Sequence, residues 1–140
     1  MGGVLALDYG DKKCGFASTD ALGIAREPLA PLRHEGREDV LLEHLAQLLA
    51  ERDVSTLLVG LPLNADGSQG PRARLVLDLA ARLSLRFPAL LVVTWDERWT
   101  TKEAESRLRA LGRKGRDVRA ERDSWSALVL LDDWLESRRP

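Results

Sequence analysis

Val4-Leu5-Ala6-Leu7-Asp8-Tyr9-Gly10-Asp11-Lys12-Lys13-Cys14-Gly15-Phe16-Ala17-Ser18-Thr19 holds two short apolar runs separated by turn residues. The pattern predicts a β-hairpin, Val4 to Tyr9 paired with Cys14 to Thr19 across Gly10 to Lys13. Asp8 is the anomaly in it. It stands where a buried strand calls for an apolar side chain, and a carboxylate there is costly unless a cation or several hydrogen bonds compensate it.

Downstream, residues 22–32 carry Ile24, Ala25, Leu29 and Leu32 together with Pro28 and Pro31, so a third strand here belongs at a sheet edge. Asp39 to Arg52 repeats its apolar residues at helical spacing with acids in its first turn. Ser55 to Gly60 reads as a buried strand running into a polar loop, Leu61 to Gly70. Pro71 opens a helix that Pro88 closes, with Ala73, Val76, Leu77, Ala80, Ala81 and Leu83 as its apolar stripe. Ala89 to Trp95 is a further strand, Thr100 or Thr101 begins a helix ending near Gly112, and Arg119 to Arg138 forms the last helix. Gly112-Arg113-Lys114-Gly115-Arg116 is expected to be a loop. The resulting order, β-β-β-α-β-α-β-α-α, predicts an α/β fold: a mixed five-stranded sheet, antiparallel first and parallel later, with helices on both faces.

The 140 residues suit one domain over 1–140. A single cysteine, Cys14, excludes an intramolecular disulfide framework and fits a reducing compartment. No apolar run approaches 18 residues, and Asp8 interrupts the first run before a signal-peptide core could form. A cytoplasmic protein with no membrane association is expected. Net charge is −1, but its distribution is uneven: −4 over residues 1–97, +5 over 98–122 and −2 over 123–140. Seventeen of the 21 cations are Arg, which grips phosphate bidentately, so the basic stretch is either a phosphate track or a solvated surface.

Glu97 repeats the anomaly of Asp8, following Leu90 to Trp95 as an acid at a strand's carboxyl end. Ligands gather beyond the carboxyl ends of parallel strands, so the two acids are candidates for convergence; the plain alternative is two strand-end caps facing water. Asp123 shares a helical stripe with Ala127, Leu131 and Trp134, which turns it toward the sheet, although a first-turn acid can also serve only the helix dipole. Three carboxylates without a His or Cys cluster suit Mg²⁺ or Mn²⁺ rather than zinc, and such a site supports phosphodiester hydrolysis. His34 and His44 look incidental.

These pieces recur together. Leu7-Asp8-Tyr9-Gly10, Val59-Gly60-Leu61-Pro62-Leu63-Asn64 with Asp66-Gly67-Ser68, Asp96-Glu97-Arg98 with Thr100-Thr101, and Asp123 followed by Ala127 resemble the YqgF/RuvX family of RNase H-like nucleases. The resemblance implies an RNase H-like fold, the catalytic and metal-binding acids Asp8, Glu97 and Asp123, and a structured nucleic-acid partner. It leaves two substrates open, precursor 16S ribosomal RNA trimmed at its 5′ end and branched DNA resolved at a four-way junction. Ser126 and Trp99 depart from the family pattern, where small residues and Leu or Phe are usual.

Further substrate contacts are expected from Gly10, Asn64, Ser68 and Arg98, and from Arg113, Lys114 and Arg116 in the basic stretch. Each has a plainer reading: a turn glycine, a self-bonded loop, an Arg paired with an acid, a wet surface. Trp95, Trp99, Trp125 and Trp134 read as core or interface rather than stacking platforms. Two other classes compete. Asp8-Tyr9-Gly10 followed by Gly15 also resembles the first phosphate loop of the actin and sugar-kinase superfamily, whose two-domain ATP site needs a longer chain. A nucleic-acid-binding module without catalysis is the other. A monomer or weak homodimer is expected.

Overall fold

The computed structural model describes residues 2–112 and 115–139, with only the backbone course for 115–121. Its elements are β1 (Gly3–Tyr9), β2 (Lys13–Thr19), β3 (Arg26–Arg33), α1 (Glu38–Glu51), β4 (Val54–Leu61), α2 (Pro71–Arg86), β5 (Leu91–Asp96), α3 (Thr100–Ala110) and α4 (Gly115–Ser137). The five strands form one sheet in the order β3-β2-β1-β4-β5, with β1 antiparallel to β2, β2 antiparallel to β3, and β1, β4 and β5 mutually parallel.

Side-chain alternation along the strands divides the interior into two layers. Leu5 and Leu7 of β1, Phe16 of β2, and Leu57 and Val59 of β4 meet Leu41, Leu45 and Leu48 of α1 and Val76, Leu79 and Leu83 of α2. Ala6, Ala17 and Leu58 face the other way and pack on Ala127, Leu130, Leu131 and Trp134 of α4. The second layer has small residues on the sheet side, which lets α4 lie close. Gly15 carries this furthest: a Cβ there would stand 2.0 Å from the Asp123 carbonyl oxygen, so only glycine admits the helix at this height.

The α/β architecture, the strand order of antiparallel then parallel, and helices on both faces agree with expectation. Pro28 and Pro31 do lie in an edge strand, since β3 pairs only with β2. Two expectations change. Gly115 begins α4 instead of lying in a loop, four residues before the expected start, at an end where the first backbone donors lack intrahelical partners in any case. His34 is not incidental. It is buried, stacks on Tyr9 at 5.1 Å, and bonds the Gly10 carbonyl through Nε2 at 2.8 Å while Nδ1 accepts from the Gly36 amide. Among the described residues no helix is long and apolar enough to cross a membrane.

Candidate active site

Because β1, β4 and β5 run in parallel, their carboxyl ends open on one edge of the sheet. Asp8 lies near the end of β1, on the face that carries Ala6, and therefore points toward α4. Glu97 follows β5 directly, and its amide donates to the Leu61 carbonyl at 3.1 Å, extending the pairing with β4 by one residue. Between them β4 presents Gly60. A Cβ at that position would fall 2.2 Å from Glu97 Oε2, so the missing side chain is the space the Glu97 carboxyl occupies. A glycine inside a buried strand is the sequence sign of such a close approach, and it went unread in the motif Val59-Gly60-Leu61.

Burial raises the pKa of Asp8, with the nearby Asp123 charge adding to the effect. Burial, then the Asp8 charge and a hydrogen bond with Asp8, push Glu97 up to about 10. Near neutrality the pair thus holds at least the Glu97 proton, beside an Asp8 whose pKa burial also raises. Glu97 Oε2 is buried without a conventional donor. An unpartnered buried oxygen beside a second carboxylate, in an all-oxygen donor set, is chemically compatible with a hard cation such as Mg²⁺ or Mn²⁺.

Asp123 is carried over the same edge by the contact between α4 and Gly15, which is the strand partner of Asp8. Its carboxylate forms an ion pair with Lys13 at 3.2 Å. The three acids therefore occupy one region, with Asp8 and Glu97 in mutual contact and Asp123 held by a lysine. Among the described residues no three His, Cys, Asp or Glu side chains converge tightly enough to hold an ion as they stand. Lys13 and Arg72 are cations that motif reading missed. Arg72 bonds Asp11 and lies close enough to favour the charged forms of Asp8 and Glu97. Neighbouring Cys14 is no nucleophile, since burial and the Asp8 and Asp123 charges push its thiol up to about 12.

The other candidate contacts divide differently. Gly10 closes the hairpin, its amide donating to the Lys13 carbonyl at 3.0 Å. A Cβ there would meet that oxygen at 2.6 Å, so turn geometry accounts for the residue. Asn64 and Ser68 bond each other (Nδ2 to Oγ, 2.9 Å), and Ser68 also donates to Asp66 from its hydroxyl at 2.6 Å and its amide at 2.9 Å. These polar atoms shape the loop after β4 before any ligand arrives. Arg98 pairs with Asp96 at 2.8 Å and donates to the Ala65 carbonyl at 3.1 Å, tying that loop to the end of β5. Of its two expected roles, the structure shows the acid pair. Arg113 and Lys114 lie outside the described residues, and Arg116 is described only as part of the α4 backbone.

The four tryptophans, expected in the core or at an interface, differ in exposure. Trp134 is buried, and Trp95 and Trp125 pack partly buried beside the α4 layer, but Trp99 is 64% exposed. Its φ of 72° lies in the left-handed region, where a residue with a Cβ loses about 1–2 kcal/mol. Asp132 pairs with Arg26 and Arg107, each at 2.9 Å, and Asp133 accepts from Trp95 Nε1.

A family model described as RuvX, Holliday junction resolvase, matches residues 2–137. A protein of Anaeromyxobacter sp. (strain Fw109-5) named "Putative pre-16S rRNA nuclease" is 42% identical over 134 residues, 96% of each chain. Bearers of the same name in Dechloromonas aromatica (strain RCB) and Acetivibrio thermocellus are 37% and 32% identical, covering 98% and 96% of this chain and 92% and 96% of their own. A solved Pseudomonas aeruginosa structure, described as an uncharacterized protein with similarity to peptidase YEAZ, aligns with 80% of this chain and 50% of its own at 18% identity and a TM-score of 0.48. That likeness is too slight to build on. The family match and the relatives' names support a nuclease role. With the matched region running almost end to end, and relatives above 30% identity covering nearly all of it, the chain belongs to the RuvX family.

Proposed function

We propose that this chain is a divalent-metal-dependent nuclease that hydrolyses phosphodiester bonds in structured RNA, trimming the 5′ end of precursor 16S ribosomal RNA. One observation carries the chemistry: the half-buried Asp8 and Glu97 meet at the carboxyl edge of the parallel strands, and the buried Glu97 Oε2 has no donor. Asp8 and Glu97 would hold the ion, and Asp123 would join them on release from Lys13. When bound, Mg²⁺ or Mn²⁺ supplies Lewis acidity that activates water and stabilises the leaving oxygen.

The chain's own residues do the rest. Gly60 leaves the Glu97 carboxyl its space, Gly15 sets the height of Asp123, and Arg72 offsets part of the negative charge when both acids ionise. Lys13 neutralises Asp123 meanwhile, which keeps three carboxylates from repelling one another across the edge. The choice of RNA rests on the relatives' names, and the family description favours a second reading, resolution of branched DNA.

Asp8→Asn tests the site. It is expected to bind substrate yet cut at least about a hundredfold more slowly, with EDTA abolishing cleavage by the native protein; full activity of the variant would remove Asp8 from the site. A junction enzyme needs two active sites related by a two-fold axis, and this domain has one acid cluster. Sedimentation with a four-way junction beside a structured precursor RNA separates the readings. Single cuts in RNA by a 1:1 complex support end trimming, whereas a 2:1 junction complex with paired nicks favours resolution.

A further inference from the structure

A groove of about 730 Å³ runs between the end of β5, α3 and α4, with Trp95 and Val129 among its lining residues. Trp99 lines it too, two residues beyond Glu97. The turn that bears Trp99 is heavily bonded. The amide and the hydroxyl of Thr100 both donate to the Glu97 carbonyl, at 3.1 and 2.9 Å, and the Arg98 amide donates to Asp96 Oδ1 at 2.9 Å. The indole and the Glu97 carboxyl thus extend from one hydrogen-bonded turn, the carboxyl over Gly60 and the ring into the groove.

A lone exposed apolar side chain is ordinary, but a bulky one at positive φ is an outlier. Glycine or asparagine would make this turn without strain, so the indole itself calls for an explanation. We infer that Trp99 is a stacking platform for an unpaired nucleobase of the substrate, held at the groove that opens two residues along the chain from Glu97. The inference rests on the nuclease reading above and adds a substrate-positioning residue to it.

The charges of the groove determine which part of a strand enters. Arg26 and Arg107 are both engaged by Asp132, and Asp133 and Glu136 add further negative charge. Such walls repel phosphate. An uncharged base face can stack on the indole while its backbone stays outside, and only a base splayed from its helix presents that face. Paired duplex, whose faces are already stacked, is excluded from the platform. A substrate with a single-stranded segment next to the scissile bond is therefore selected.

Binding of a short end-labelled oligoadenylate in EDTA, where cleavage is off, tests this by the label's anisotropy, with tryptophan quenching as a second readout in the native protein. Native protein is expected to show quenching, Trp99→Ala to bind about 5- to 150-fold more weakly, and Trp99→Phe to stay within a few-fold of native. Trp99→Gly relieves the left-handed backbone, so it should melt at or above the native temperature while losing binding, which separates stacking from folding. Affinity unchanged in Trp99→Ala, an equal loss in Trp99→Phe, or a native protein that takes an Arg-rich peptide but not the oligonucleotide would each overturn the inference. If Trp99→Ala loses binding while native protein with Mn²⁺ cleaves neither RNA nor junction, the nuclease reading fails and the platform stands. If native and Trp99→Ala cleave with the same KM, the reverse holds.

Discussion

Glu97→Gln should make the metal-free protein more stable and less active at once. In the native chain Glu97 holds its proton up to about pH 10, whereas an unfolded glutamate releases it near 4.5. Between those values the folded state binds more protons than the unfolded one, so stability falls as pH rises, by about 1.4 kcal/mol per pH unit for one full proton. The cleanest window is pH 7.0 to 8.5. His44, whose pKa burial lowers from 6.5, contributes a pH dependence only below that range. Cys14, raised from 9.0, contributes mainly above it and adds a few tenths of a kcal/mol at most near its upper end. Across the window the native chain should lose up to about 2 kcal/mol, less whatever water penetration relieves. Glutamine is nearly isosteric, cannot ionise, and can donate from its amide to Asp8. The variant should therefore show a flat profile and gain about 1–3 kcal/mol at pH 8, or roughly 3–10 °C in melting temperature. Urea titrations in EDTA at several pH values measure the profile, and Mg²⁺ or Mn²⁺ at pH 8 should stabilise native protein but not the variant. A native stability independent of pH across this window, or a variant no more stable than native, would refute the held-proton account of the pair.

Other perturbations address the geometry. Gly60→Ala places a methyl group on Glu97 Oε2 and should displace the carboxyl, cutting cleavage severely while costing about 1–3 kcal/mol in a chemical melt. Gly15→Ala meets backbone at the Asp123 carbonyl rather than a movable side chain, so it should destabilise by at least as much and lift α4 away from Asp8, seen as lost protection in hydrogen exchange along that helix. Replacing Arg113, Lys114 and Arg116 together by Ala should weaken nucleic-acid binding irrespective of sequence and lower the salt slope by about 0.7–0.9 for each phosphate no longer neutralised; an unchanged slope would mark the stretch as a solvated surface.

The alternation of apolar runs with turn residues settled the element order, because period and punctuation are local properties. Asp8 and Glu97 were legible for the same reason, each being a charge placed where its own strand calls for an apolar side chain. Asp123 was legible as an acid on an apolar helical stripe. What local pattern could not contain was distance. That Glu97 fills the space left by Gly60, that α4 rests on Gly15 opposite Asp8, and that Lys13 holds Asp123 are relations between residues many positions apart, and they exist only once the sheet is assembled. The same limit applies to the remaining candidate side chains. Asn64, Ser68 and Arg98 carry groups able to bind phosphate, and only the fold reveals the internal bonds they also make. Trp99 is a large apolar residue, yet it stands exposed, at a turn whose backbone takes a left-handed φ. Residue chemistry is written in the sequence, but whether a group is free, paired or pointed at a neighbour depends on which segments the tertiary fold brings within a few ångströms.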